Sequence, residues 1–413
     1  MARLDATYIN TANKIKVLDI IRNSDLISRA ELVKKTHLSA PTITRIVDSL
    51  INTEKIVEEV GTGSSEGGRP PHLIRFSGGD KYVIGIDLGT THIDGIVANL
   101  DAEVVTEMRI PTFVESGYDE VISRTALLIR DLLDRSGVPS SRILGIGMAV
   151  AGLVDRKRKI VEYSPDFGWH DANIVKDLRQ SVPFPIVFDN VTRVMSLGEL
   201  HFGLGQKTSN FICINVGYGI GAGVISEGKP FFGAHGMSGE FGHIVVDPYA
   251  DARCMCGNTG CLEALASGRG IAMAAQKLLA TGAKSVLADS FRADPSSITA
   301  RAVANAATNG DELAAGVLTS AARYLGLGIV NLVNLFDPDA IVIGGGVATA
   351  GEMFFNTIRA TVSERSLSRH SRGIEITPSS FGSRASVMGA VSLVLDEVLS
   401  LRLETASNVE ENA

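Results

Sequence analysis

Three observations predict an α/β protein with a small helical head in front of a larger two-lobed body. Two strand–glycine turn–strand units, at 82–99 and 211–225, recur in separate halves of the chain, as a duplicated α/β body requires. One His and three of the four Cys fall within residues 243–261, at spacings that suit a metal. Ahead of both, capping and turn residues mark three short helices followed by a hairpin. With 413 residues, 45% of them hydrophobic and 21% charged, the chain can form two or three sizeable cores and has an ordinary globular composition. No apolar run is read as long enough to cross a membrane, and Met1-Ala2-Arg3-Leu4-Asp5 lacks a signal-peptide core. Few cysteines, most of them in one cluster, point to a reducing cytoplasm.

The head is placed at residues 1–77. Thr11 to Arg22 reads as an amphipathic helix with Ile15, Leu18 and Ile21 on one face. Ser28-Arg29-Ala30-Glu31 is a capping box that opens a second helix through Leu32 and Val33. Ser39 is an N-cap and Pro41 fits the first turn of a third helix, whose Ile43, Ile46, Val47 and Leu50 face inward. Ser39, Thr42, Thr44 and Arg45 then lie where a helix-turn-helix presents side chains to base edges. Strands at 56–60 and 72–76, with a Gly/Ser-rich tip at 61–68, add a wing. Arg69 sits where a wing would enter a minor groove. This predicts a winged helix-turn-helix that binds operator DNA. The charge agrees in sign: residues 1–77 carry 11 Lys and Arg against 9 Asp and Glu, whereas the remainder carries 28 against 37.

The body is placed at 80–403. In its first unit, strand 82–87 ends in Asp87-Leu88-Gly89-Thr90-Thr91. In its second, strand 211–216 runs into a turn spanning Gly217 to Gly223. Such turns can cradle an anion on backbone N–H groups only where nothing bulky overhangs. The paired pattern resembles the actin/hexokinase/Hsp70 fold, in which the two turns face each other across a cleft and hold nucleotide phosphates. A third glycine run, Gly344-Gly345-Gly346, follows another apolar strand and reads equally as a tight strand-to-helix turn or a nucleotide contact. Residues 314–335 form a long core helix, 386–399 a helix that returns to the first lobe, and 404–413 a disordered tail.

The metal set is His243, Cys254, Cys256 and Cys261. Thiolate and imidazole suit a tetrahedral zinc ion, and a closed Cys3His shell makes it structural. Cys213, alone in an apolar run, reads as an inert core thiol. Gly239-Glu240-Phe241-Gly242-His243 together with Cys254-Met255-Cys256-Gly257-Asn258-Thr259-Gly260-Cys261-Leu262-Glu263 resembles the ROK family of repressors, open reading frames and kinases. That resemblance implies a zinc-clipped, kinase-like body with one lobe at about 80–195 plus 386–403 and the other at 196–385. It implies that Glu240, His243 and Glu263 contact a sugar, joined by Asn190 and by Gly152 in a loop that closes on it. The loop from Ser164 to Trp169 corresponds to a second closing loop, and Trp169 reads equally as a sugar platform or a packing residue. In ROK kinases an Asp base follows the Asn; here Val191 stands in that place and has no proton-accepting group. Thr90 and Tyr218 add bulk in the two phosphate turns. Asp189, the carboxylate nearest by, is expected to point to the other face of its strand.

The resulting expectation is a cytoplasmic, non-enzymatic, sugar-responsive transcriptional regulator. It would repress carbohydrate genes, carry structural Zn2+, bind a sugar or sugar-phosphate effector, form a homodimer or homotetramer and make no membrane contact. The alternatives are an ATP-dependent sugar kinase with a DNA-binding head, and a regulator controlled by a partner protein.

Overall fold

The computed structural model describes residues 13–395, apart from 15, 19, 23, 64–69, 79, 371 and 372. Ile15, Arg69, most of the wing tip and the tail therefore lie outside the described residues. In the head, helix α1 (the described residues among 13–22) precedes the two-residue strand β1 (Ile27–Ser28). Ser28 then caps α2 (Arg29–Thr36) in a full capping box with Glu31, and Ser39 caps α3 (Ala40–Asn52). Leu18, Ile21, Ile43, Ile46, Val47 and Leu50 are all buried. Strands β2 (Val57–Thr62) and β3 (His72–Phe76) form an antiparallel ladder, and β1 adds a third strand that the sequence reading missed. Two residues are too few for a periodic signal, so β1 shows only through its pairing with Leu73 and Ile74.

The first half of the body contains β4 (Tyr82–Leu88), β5 (His92–Asn99), β6 (Val104–Pro111), α4 (Tyr118–Ser136) and β7 (Ile143–Val150). A small meander follows, β8 (Leu153–Asp155), β9 (Ile160–Ser164) and β10 (Trp169–Ala172), then α5 (Ile174–Leu178), β11 (Ile186–Asn190) and α6 (Val191–Phe202). The two segments read as closing loops are thus the margins of a three-stranded sheet. Trp169 is buried in it, stacked on Phe167 with ring centres 4.3 Å apart, so it is a packing residue.

The second half contains β12 (Phe211–Val216), β13 (Ile220–Ser226), β14 (Lys229–Pro230), α7 (Leu262–Ala266), α8 (Gly268–Ala280), α9 (Ala288–Ala293) and α10 (Ala300–Thr308). These are followed by α11 (Glu312–Phe336), β15 (Ala340–Gly344), α12 (Glu352–Arg365), β16 (Glu375–Pro378) and, last among the described residues, helix α13 (residues 385–395). The two five-stranded sheets have the same plan, β11-β7-β4-β5-β6 and β14-β13-β12-β15-β16. In each, the first strand pairs antiparallel with the second and parallel with the fourth. This is the duplication seen in the sequence.

Two expectations need correction. Gly217 to Gly223 is not one turn: β13 begins at Ile220, leaving a turn of only Gly217-Tyr218-Gly219. Gly221 and Gly223 are strand residues against α6, where an added Cβ would come within 2.4 Å of the Thr192 hydroxyl and 2.7 Å of the Ser196 hydroxyl. Their glycine is required by helix packing, not by an anion. The second concerns α11, which by length and composition is apolar enough to span a membrane; 56% of its most apolar window is buried, in the core of the second half.

Helix α6 packs on both sheets and crosses α13 closely. A Cβ on Gly389 would meet the Val194 carbonyl oxygen at 2.0 Å, and one on Gly198 would meet Gly389 at 3.0 Å. One continuous apolar cluster runs from Ile21, Ile46 and Ile74 in the head, through Val83, Ile96 and Leu100, to Val391 and Leu395 in α13.

Candidate metal centre and adjoining cleft

A tight loop between Arg253 and Thr259, joined by an isolated bridge, brings Cys254 and Cys256 round to Cys261. The Cys254 amide donates to the Asn258 carbonyl at 2.8 Å, and Gly257 takes a φ of +94° that favours glycine. A short 3-10 turn, Phe241–His243, presents the imidazole from the other side. The ligand atoms of His243, Cys254, Cys256 and Cys261 all lie within 4.8 Å of one another. Cys256 Sγ is 3.7 Å from Cys261 Sγ, and Cys254 Sγ is 3.6 Å from His243 Nδ1. Tetrahedral ligands about 2.3 Å from a zinc ion would be spaced by nearly the same amounts. Cys254 and Cys261 are buried, and burial pushes the Cys254 thiol up to about 12. Deprotonated sulfurs at this spacing therefore need a cation among them. The four residues can hold a metal ion.

The ligands adjoin the carboxylates singled out in the sequence. Glu263 lies two residues beyond Cys261, in the first turn of α7. Its Oε2 accepts the Ile220 amide at 2.9 Å, and its Oε1 is 3.8 Å from Cys254 Sγ. Glu240 immediately precedes the 3-10 turn; burial raises its carboxyl above the usual range, while His243 and Arg193 draw it back. Asp166, from the margin of β9, is also raised by burial and by Glu263, against Arg269 and His243. Asp166, Tyr218, Glu263 and Arg269 share a cavity of about 590 Å³.

Residues of β11 and α6 do not line that cavity; they form a separate group around Asn190. Asn190 Nδ2 donates to the Gly152 carbonyl at 2.9 Å, and its Oδ1 accepts the Thr192 amide, capping α6. The structure thus joins Asn190 to Gly152, and it joins the metal ligands to Glu263. Val191 is the first residue of α6, half-buried against the apolar cluster. Asp189 is buried and bound to Arg193 and Arg156, an arrangement the sequence reading missed. Its signal was the spacing of Asp189 and Arg193, four apart at a helix start. Ser39, Thr42, Thr44 and Arg45 lie together at the start of α3; Thr44 and Arg45 are exposed, and the Ser39 and Thr42 hydroxyls bond at 2.8 Å.

Residues 83–397 match the ROK family. The chain is 32% identical over 394 residues to the xylose repressor of Caldicellulosiruptor bescii, covering 95% of this chain and 98% of that protein. It is 33% identical over 315 residues to the glucokinase of Halalkalibacterium halodurans, covering 76% of this chain and 95% of the kinase. Among solved structures, a ROK family transcriptional regulator, homologous to the E. coli MLC protein, superposes with a TM-score of 0.81 at 28% identity, over 97% of this chain and 99% of that one. With the family matched across well over half its length, the chain belongs to the ROK family.

Proposed function

We propose that this protein is a sugar-responsive transcriptional repressor of carbohydrate genes. Residues 1–77 act as a winged helix-turn-helix on operator DNA through Ser39, Thr42, Thr44, Arg45 and Arg69. Glu240, His243, Glu263, Asn190 and Gly152 bind a sugar or sugar-phosphate effector. The observation that carries this reading is the cluster of His243 with three cysteines that adjoins Glu263; Val191, at the start of α6, stands where the family resemblance puts the kinase base. The full-length match to a xylose repressor supports the regulatory assignment. His243, Cys254, Cys256 and Cys261 would hold structural Zn2+, which fixes the loop that carries the sugar contacts. Effector binding favours one arrangement of the two halves and so shifts operator affinity.

The kinase reading is favoured by the glucokinase relative. It lacks a base at Val191, and such help is typically worth about 10²–10⁴ in rate. A thermal-shift screen of monosaccharides, sugar phosphates and sugar acids tests the sensor. A ligand at a hundred times its Kd should add about 2.7 kcal/mol of stability. The sugar so found should change operator affinity and give no ATP turnover above a Glu263→Ala control. Rapid phosphorylation of it would establish the kinase, and a screen without any hit would favour control by a partner protein.

A further inference from the structure

Both oxygens of the buried Asp189 are engaged. Oδ1 accepts Arg193 Nε at 2.9 Å, a shorter bond from Arg193 Nη2, and the Asn190 amide at 2.7 Å. Oδ2 faces Arg156 Nε at 3.6 Å. Each arginine also reaches beyond Asp189. Arg193 Nη1 donates to the Gly236 carbonyl at 2.8 Å, and the Arg156 guanidinium lies 4.3 Å from the centre of the Phe232 ring.

Phe232 and Gly236 belong to loop 231–238, which follows β14 in the second half and leads directly into Gly239 and Glu240. The loop closes on itself, with the Ser238 hydroxyl donating to the Phe231 carbonyl at 2.5 Å and the Ser238 amide to that of Phe232 at 3.2 Å. Its far end is tied to β13, where the Ala222 amide donates to the Gly239 carbonyl at 2.8 Å. The crown of this arch is gripped from the opposite half by two arginines that share one carboxylate. Arg193 is itself buried, so its charge depends on Asp189 for compensation.

We propose that Asp189 is a positioning residue: it sets Arg156 and Arg193 as a two-pronged latch onto loop 231–238 of the other half, holding that loop and hence Glu240 in place for the effector. This rests on Glu240 belonging to the effector site. The carboxylate next to the missing base serves geometry, and neither of its oxygens is left to take a proton from a sugar. A latch that holds the arch before ligand arrives also raises the binding-competent fraction, and apparent affinity follows that fraction.

Hydrogen exchange on full-length, zinc-loaded protein tests this without any sugar. Arg156→Ala, at a partly exposed side chain, should speed amide exchange across 232–240 by about tenfold or more, because the arch then opens locally. Amides of 254–261 and the zinc content should not change. Asp189→Asn should speed the same amides further, and adding Arg156→Ala to it should add nothing, since both act through one carboxylate. Wild-type exchange at 232–240 in Arg156→Ala overturns the latch even if Asp189→Asn fails to fold. A double variant faster than Asp189→Asn overturns the shared anchor. Titration with D-xylose, D-glucose and N-acetylglucosamine is the second arm, and Arg156→Ala should bind whichever of them binds the wild type more weakly. Wild-type protein that binds none of the three overturns the effector part, while the exchange result still decides the latch.

Discussion

Asp87, next to last in β4, has its carboxyl against the Ser386 hydroxyl in the first turn of α13. Burial pushes its pKa up to about 6; the Ser386 bond and Arg109 oppose that rise, and Asp94 adds to it. A folded-state pKa above the unfolded value means that the native state holds the proton more tightly. The stability this contributes is complete below about pH 4 and is lost as pH rises through 6. Asp87→Asn should therefore be more stable than wild type at pH 7.5, by on the order of 1–3 kcal/mol. The difference should shrink towards zero near pH 4, as read by paired urea titrations. Single residues were unevenly legible. The cluster of His243 with Cys254, Cys256 and Cys261 could be read because three cysteines fall within eight positions. The use of Asp189 could not, because Arg193 meets Gly236, a residue 43 positions away.

Among elements, the metal loop and the α6–α13 crossing depend on backbone geometry that side-chain patterns describe poorly. The loop has little apolar content to hold it, so a bound metal should supply much of its order. Cys256→Ser should remove the metal, read as zinc per chain after purification without added zinc, and lower the melting temperature together with any sugar response. Full stability in metal-free protein would contradict the structural role. At the crossing, Gly389→Ala should cost about 1–3 kcal/mol or more, because its methyl group would strike the Val194 carbonyl. A chemical denaturation midpoint equal to wild type would show that the helices can separate freely. Caps and inward faces in α2 and α3 could be read from local rules, since Ser28, Glu31 and Ser39 act within one turn. The extent of β13 was misread because glycines mark turns and close helix approaches alike, and only the position of α6 separates the two.

For the whole molecule, the repeated strand order β11-β7-β4-β5-β6 and β14-β13-β12-β15-β16 was foreshadowed by two similar sequence units. How the halves meet was not, because that depends on contacts such as Ser379 and Ser380 with Glu199, some 180 residues away. A body comprising 80–413 should lose operator binding in an electrophoretic shift assay. Arg45→Ala in the full chain should relax discrimination at one operator position, by roughly 1–3 kcal/mol. Retained operator binding by that body would refute the assignment of the head.

The apolar cluster that joins Ile21 and Ile74 to Leu100 and Leu395 also bears on how such proteins can be recombined. A head with a closed core could be exchanged between chains like a cassette, with only a linker to match. This head shares its interior with the first sheet and the last helix, so a transplant must carry matching surfaces from both. New operator specificities should then be reached more readily by altering the exposed residues of α3 than by swapping the head.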